Sequence, residues 1–347
     1  MKLYFTLAII VALFCSACTS KTAEKDSAYI GGEIVNPTSN YIILSKNDKV
    51  IDTLVLDQNN QFGKYVEGIC SGIYAFRHPP ENQIMYLEPR DSILIWVNTM
   101  DFDQSLNFSG RGARKSKLLL DMYQQHQKNN ELVLSYFKIQ PRNFLKLTDS
   151  IKNVRQQRLR NLNAKNEFTE EFLDIAQASI DYENYDLKER YSFLIRKYYP
   201  ELVSSLPADF NEYRKNLDFN QPRLYDHYLF GNFIDDYLRT RSIERCDQIK
   251  DSNPSCSNLF ASENIGYRIK VVDSLIKDNQ LKSKFIDRLA AKSIIHSEDR
   301  ESIENTLQLL EEIEYNSDKI TEIQQMGAIQ KALLPGNNIG NLPLRTQ

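Results

Sequence analysis

The chain has 347 residues, 43 Lys and Arg against 46 Asp and Glu for a net charge of −3, and 41% hydrophobic residues, an ordinary globular composition with room for two domains. No basic excess is present, which argues against a nucleic-acid partner. With only 12 Gly and 11 Pro, a low-complexity or collagen-like chain is excluded and long helices are favoured.

Lys2 is followed by an apolar run from Leu3 to Phe14, broken only by Thr6, and then by Cys15-Ser16-Ala17-Cys18. Twelve helical residues rise about 18 Å, well short of a hydrocarbon core of roughly 30 Å, so residues 1–18 read as a signal peptide and not a membrane span. Small residues directly before Cys18 resemble a bacterial lipoprotein signal, in which Cys18 becomes the lipidated first residue of the mature chain. Cys15 stands where that motif usually has Leu, and plain secretion is the alternative. The expected location is the cell envelope of a Gram-negative bacterium, lipid-anchored, facing the periplasm or exposed at the surface. Residues 19–28 are polar and read as a tether.

Residues 29–112 hold seven of the 12 glycines and alternate β-branched or aromatic runs with turn formers. Strands are expected at Gly32 to Val35, Tyr41 to Ser45, Val50 to Leu56, Phe62 to Val66, Gly72 to Arg77, Ile84 to Leu87, Ser92 to Val97 and Leu106 to Ser109. Their number and spacing predict a small antiparallel β-sandwich or barrel. Only the register of the run from Ile51 to Leu56 is ambiguous, because its alternation is partial. Cys70, between Ile69 and Gly72, reads as a small buried residue.

Residues 113–334 predict an irregular all-helical domain, which makes the whole chain α+β. Phe168, Phe172, Ile175, Ser179 and Tyr182 share one helical face, as do Ile265, Ile269, Val272 and Ile276, and again Ile303, Leu307, Leu310 and Ile313. Pro200, Pro207, Pro222 and Pro254 mark breaks, and no fixed repeat period points to a solenoid. Cys246 and Cys256 flank a segment rich in breakers. In an oxidising compartment they are expected to form a disulfide, with two buried thiols as the alternative.

Chemistry-bearing patterns are sparse. Gly110-Arg111-Gly112-Ala113-Arg114-Lys115-Ser116 lacks the spacing of a dinucleotide or Walker loop and reads as a strand-to-helix turn in preference to an anion site. His78, His126, His227 and His296 are scattered without zinc-ligand spacing, and neither metal nor cofactor is expected. Adjacent carboxylates such as Asp235-Asp236 predict charged helix surface, and Asp226-His227 a solvated or hydrogen-bonded helix face. Tyr225, Tyr228 and Phe233 fall near one face and are the candidates for a ligand groove, against the alternative of aromatic core.

The motifs Gly72-Ile73-Tyr74, Tyr86-Leu87-Glu88-Pro89-Arg90-Asp91-Ser92-Ile93 and Phe108-Ser109-Gly110-Arg111-Gly112-Ala113, behind a lipoprotein signal and before a long helical segment, resemble the N-terminal region of TlpA/ResA-like thiol-disulfide oxidoreductase lipoproteins. Arg90 replaces the glycine usual in that family, at a turn where positive φ is expected. Residues 335–347 are similar to the linker leading into the family's thioredoxin domain, which carries the reactive Cys-x-x-Cys. The only such pair here is Cys15/Cys18, at the signal cleavage site. The resemblance therefore implies a lipid-anchored accessory region without catalytic residues, acting as a spacer or recognising a protein partner or thioredoxin-like domain. The alternative is a peptide- or glycan-binding lipoprotein of the cell envelope.

Overall fold

The computed structural model describes residues 26–136, 138–249 and 254–336. Cys15, Cys18, the signal segment, the tether up to residue 25 and residues 337–347 lie outside the described residues. The chain divides into two compact units, Met1–Asp121 and Met122–Gln347.

Among its described residues the first unit contains eight strands, β1 (Ser27–Val35), β2 (Tyr41–Lys46), β3 (Lys49–Val55), β4 (Gln61–Glu67), β5 (Gly72–His78), β6 (Glu81–Leu87), β7 (Ser92–Asn98) and β8 (Asn107–Arg111). They form two separate sheets, β4-β1-β7-β8 and β3-β2-β5-β6, and not a closed barrel. One pairing departs from the antiparallel expectation: β1 and β7 run parallel, from Tyr29↔Ser92 to Val35↔Asn98. β1 also starts earlier than the expected boundary at 29, because Ser27 and Ala28 are buried and pair with Glu67 and Val66.

Turn chemistry explains the hairpins. Asn47 and Asp48 join β2 to β3 with φ of 51° and 60°, the left-handed pair that a two-residue hairpin matching strand twist requires. The irregular alternation near Ile51 has a cause too, since the β2–β3 register shifts between Leu44 and Ser45. Burial follows the period of two most plainly on β7, where Ile93, Ile95 and Val97 are buried while Leu94 and Trp96 are exposed.

Helix α1 (Ala113–Tyr136) follows β8. The second unit continues with α2 (Pro141–Leu162), α3 (Glu170–Tyr198), α4 (Tyr228–Ile249), α5 (Ser262–Leu275), α6 (Asn279–Ile295), α7 (Arg300–Glu312) and α8 (Ile320–Leu333). Several starts are chemically marked. Pro141 occupies the first turn of α2, and the side chains of Thr169, Asp278 and Asp299 accept the backbone N–H of Phe172, Leu281 and Ser302. Between α3 and α4 the prolines leave only short 3₁₀ turns, at Pro200–Ser205, Glu212–Asn216 and Pro222–Leu224.

Helix α3 packs on both α2 and α4, and the stripe from Phe168 to Tyr182 is buried throughout. Farther along, Phe144 of α2 stacks on Tyr191 of α3 with ring centroids 3.9 Å apart, over a core completed by Leu187, Ile195, Leu202 and Phe210. The Ile265-to-Ile276 stripe is buried as well. In the third stripe Ile303 and Leu310 are buried while Leu307 and Ile313 are only half-buried. Among the described residues no helix is long and apolar enough to cross a membrane.

Candidate functional site

The three motifs of the first unit converge on one corner. After β6 the chain turns at Arg90, whose φ of 71° lies in the left-handed region, and its backbone N–H donates to Ser27 O at 2.7 Å. Asp91 then folds back: its Oδ2 accepts from Glu88 N at 2.9 Å and from Lys115 Nζ at 3.2 Å, and Lys115 Nζ also reaches Glu88 Oε2 at 2.5 Å. Burial raises the Asp91 pKa, while the Lys115 ammonium draws it down.

Both motif glycines are required by this corner. A Cβ on Gly112, at φ +92°, would stand 2.2 Å from Asp91 Oδ1, and one on Gly110, also at φ +92°, would stand 2.2 Å from Ser92 O. Ser116 locks the start of α1 onto β6, its Oγ accepting from Tyr86 N at 3.0 Å and donating to Tyr86 O at 3.1 Å. The space over Gly112 is thus taken by a carboxylate of the chain itself. The segment from Gly110 to Ser116 serves as the strand-to-helix turn that its sequence predicts.

Beside this corner lies a cleft of about 710 Å³ lined by Ser27, Tyr65, Arg90, Asp91, Ser92 and Arg111. Arg90 and Arg111 are exposed. Neither guanidinium has a partner among the described residues. Tyr29 and Tyr65, directly opposed on β1 and β4, meet edge to face with centroids 5.2 Å apart.

The second unit holds a buried polar network of a different kind. Glu183 of α3 accepts Arg155 Nε and Nη2 at 3.0 and 3.2 Å and Asn129 Nδ2 at 2.8 Å. His126 Nε2 lies 3.8 Å from Asp186 Oδ2, and Arg190 Nε lies 3.6 Å from Asp236 Oδ2. Asp186 is fully buried, and desolvation, reinforced by the nearby Asp236 carboxyl, raises its pKa well above the usual range. Lower on the same helix, Glu189 accepts Tyr213 OH at 2.6 Å and Arg214 Nε at 2.7 Å, and Arg214 reaches Glu244 at 3.0 Å.

A Ser–His contact in this network has the wrong polarity for nucleophilic catalysis. Ser179 Oγ is 2.5 Å from His227 Nε2, while His227 Nδ1 accepts the Leu229 N–H at 3.2 Å. In the neutral ring the proton therefore sits on Nε2 and is donated to Ser179, whose own hydroxyl donates to Ile175 O at 2.8 Å. Burial pushes His227 down to about 3, so the ring remains neutral near pH 7. With both protons committed, the imidazole cannot take one from the serine. Among the described residues no group of three or more His, Cys, Asp or Glu is arranged to hold a metal ion.

The expected site residues fall out as follows. Cys18 lies outside the described residues. Cys246 and Cys256 are joined in a disulfide, with Cα atoms 5.7 Å apart. The expected groove of Tyr225, Tyr228 and Phe233 is corrected: Tyr225 is 7% and Phe233 0% exposed. Phe233 packs among Tyr182, Phe219 and Tyr237, while Tyr228 meets Tyr123 edge to face.

Three smaller expectations are also corrected. Cys70 is exposed, with Lys46 Nζ 3.9 Å from its sulfur. Asp236 turns inward toward Arg190, leaving its side chain only 13% exposed. His227 precedes α4 in place of lying within a helix, and of the two expected states it takes the hydrogen-bonded one, buried against Ser179 and Leu229.

No family model, curated protein or solved structure matches the chain. The polar network on α3 is what sequence reasoning missed. Its signal in the sequence is that Ser179, Glu183, Asp186 and Arg190 recur every three or four residues along one helix.

Proposed function

We propose that this chain is a non-catalytic, lipid-anchored accessory region of a thioredoxin-like thiol-disulfide oxidoreductase of the cell envelope, serving as spacer or partner-recognition module. The observation that carries the reading is the φ of 71° at Arg90. The lipoproteins that the motif resembles usually have glycine at this position, the residue that adopts a positive φ most readily, and here Arg90 holds a positive φ at a steric cost. Glu88, Asp91, Gly110 and Gly112 of the three motifs meet at that turn, so the motifs make sense as parts of one corner. Among the described residues the cysteines are the Cys246–Cys256 pair, joined in a disulfide, and Cys70.

The test has two arms. Expressed in a Gram-negative host, the chain is expected in the membrane fraction, and Cys18→Ala is expected to release it. The purified protein is expected to leave insulin disulfides intact in the presence of a dithiol donor, whether Cys70 is present or replaced by Ser. Catalysed insulin reduction would overturn the non-catalytic assignment, and an unchanged distribution of Cys18→Ala would overturn the anchor.

A second reading, a glycan-binding lipoprotein, is favoured by one observation: Trp96, the only tryptophan of the chain, is 44% exposed on the outer face of the β4-β1-β7-β8 sheet.

A further inference from the structure

The pairing registers lay out that outer face residue by residue. Tyr65, Tyr29, Ser92 and Arg111 stand side by side across the four strands, followed by a row of Gly63, Gly31, Leu94 and Ser109, then by a row of Gln61, Glu33, Trp96 and Asn107. Two glycines are directly opposed in the middle row, and the Tyr29 side chain lies over both. A Cβ on Gly31 would stand 2.9 Å from Tyr29 Cε1, and one on Gly63 would stand 2.2 Å from its hydroxyl. Absence of side chains at these positions lets the phenol ring lie along the sheet, one flank toward the backbone and the other outward. Tyr65, 64% exposed, borders this ring, and Leu94 and Trp96, each 44% exposed, continue the apolar strip.

One end of the strip is cationic. Arg111 closes the first row and Arg90 projects from the adjoining turn, both on the 710 Å³ cleft, a size within the usual range for small-molecule sites. Among the described residues Asp91 is the one carboxylate lining that cleft, and Lys115 holds it in an ion pair at 3.2 Å. The two guanidiniums, without partners among the described residues, suit a carboxylate or phosphate group.

We propose that this end of the sheet face binds an acidic sugar, the pyranose ring resting on the Tyr29–Tyr65 platform and its carboxylate or phosphate held by Arg90 and Arg111. A ring ligand fits the face better than an extended peptide: a peptide adds to a sheet through free backbone groups at an edge, here β4 or β8, whereas Tyr29 and Ser92 lie at the middle of the face on β1 and β7, which are paired on both sides. Hydroxyls of Ser92 and Ser109, the Asn107 amide and the Glu33 carboxylate are spread around the strip as partners for sugar hydroxyls. The site stands on the β unit's own geometry and is independent of the resemblance to redox lipoproteins.

The test is an array of oligosaccharides, uronate-, sialate- and phosphate-bearing beside neutral ones, probed with the full chain, with hits titrated through Trp96 fluorescence. Binding is expected to be confined to acidic sugars and to weaken at least tenfold in Arg111→Gln and in Arg90→Gly. The second variant places glycine at a positive-φ position, so it keeps the fold while removing the charge. Failure of every acidic sugar to bind, equal binding of neutral sugars, or affinity unchanged in both variants would overturn the proposal. So would inorganic phosphate competing as strongly as the sugar phosphate, which would mean anion binding without the platform. Arginine-dependent capture by anionic phospholipid vesicles without any sugar binding would likewise assign the face to a membrane surface instead.

Discussion

Replacing Gly112 by Ala is the sharpest perturbation of the motif corner. At φ +92° any L side chain carries a backbone penalty of about 1–2 kcal/mol. The new methyl would also overlap the Asp91 carboxylate, which must move and give up its bonds to Glu88 N and Lys115 Nζ. Lys115 is only 6% exposed, so the lost charge-assisted bonding costs a further 1.5–3 kcal/mol or about that. The expected total is about 3–5 kcal/mol, a large share of the 5–15 kcal/mol or so that a domain has. Trp96 is the only tryptophan and lies on β7, so urea unfolding followed by its fluorescence reads the β unit alone. In an Asp91→Ala background the overlap is gone, and Gly112→Ala should cost only its backbone penalty, leaving a coupling energy of about 1.5–3 kcal/mol. A loss below about 1 kcal/mol, or strict additivity of the two substitutions, would refute this account of why the glycine is there.

Four further outcomes are expected. Arg90→Gly should raise the unfolding free energy read from urea titration by about 0.5–1 kcal/mol, since relief of left-handed strain exceeds the entropy glycine adds to the unfolded chain, whereas Arg90→Ala should give no gain. Reducing Cys246–Cys256 should lower the stability of the helical unit by about 2–3 kcal/mol, read by circular dichroism at 222 nm, as expected for a crosslink closing a ten-residue separation. His227 is held near 3 by burial, so below about pH 6.5 the unfolded chain binds a proton that the folded chain refuses; stability should fall from there toward pH 3, and His227→Gln should flatten that slope. Asp186 has the opposite sign: its raised pKa makes the folded state the better proton acceptor above about pH 4. Its contribution therefore declines as pH rises, and Asp186→Asn should raise the thermal midpoint at pH 7.

The strands, the change from strand to helix near residue 112 and two of the three buried helix stripes were legible because they are local: alternation of period two, spacing of 3.6 and turn residues act over a few positions, whereas the compact units divide later, between Asp121 and Met122 within α1. Asn47-Asp48 announces its hairpin without help from the rest of the chain. The disulfide partners were readable for a similar reason, since ten residues rich in breakers can close on themselves. What the sequence alone left open depends on neighbours distant along the chain. Parallel pairing of β1 with β7 joins segments more than sixty residues apart, and no local pattern encodes strand direction. Phe233 and Asp236 have the same residue types and spacing whether they face solvent or core, and only packing of α4 against α3 turned them inward. Gly31 and Gly63 look like ordinary weak points in two strands until register sets them opposite each other beneath Tyr29. Proximity of that kind is a property of the assembled sheet, and it is there that Arg90 and Arg111 come to share one cleft.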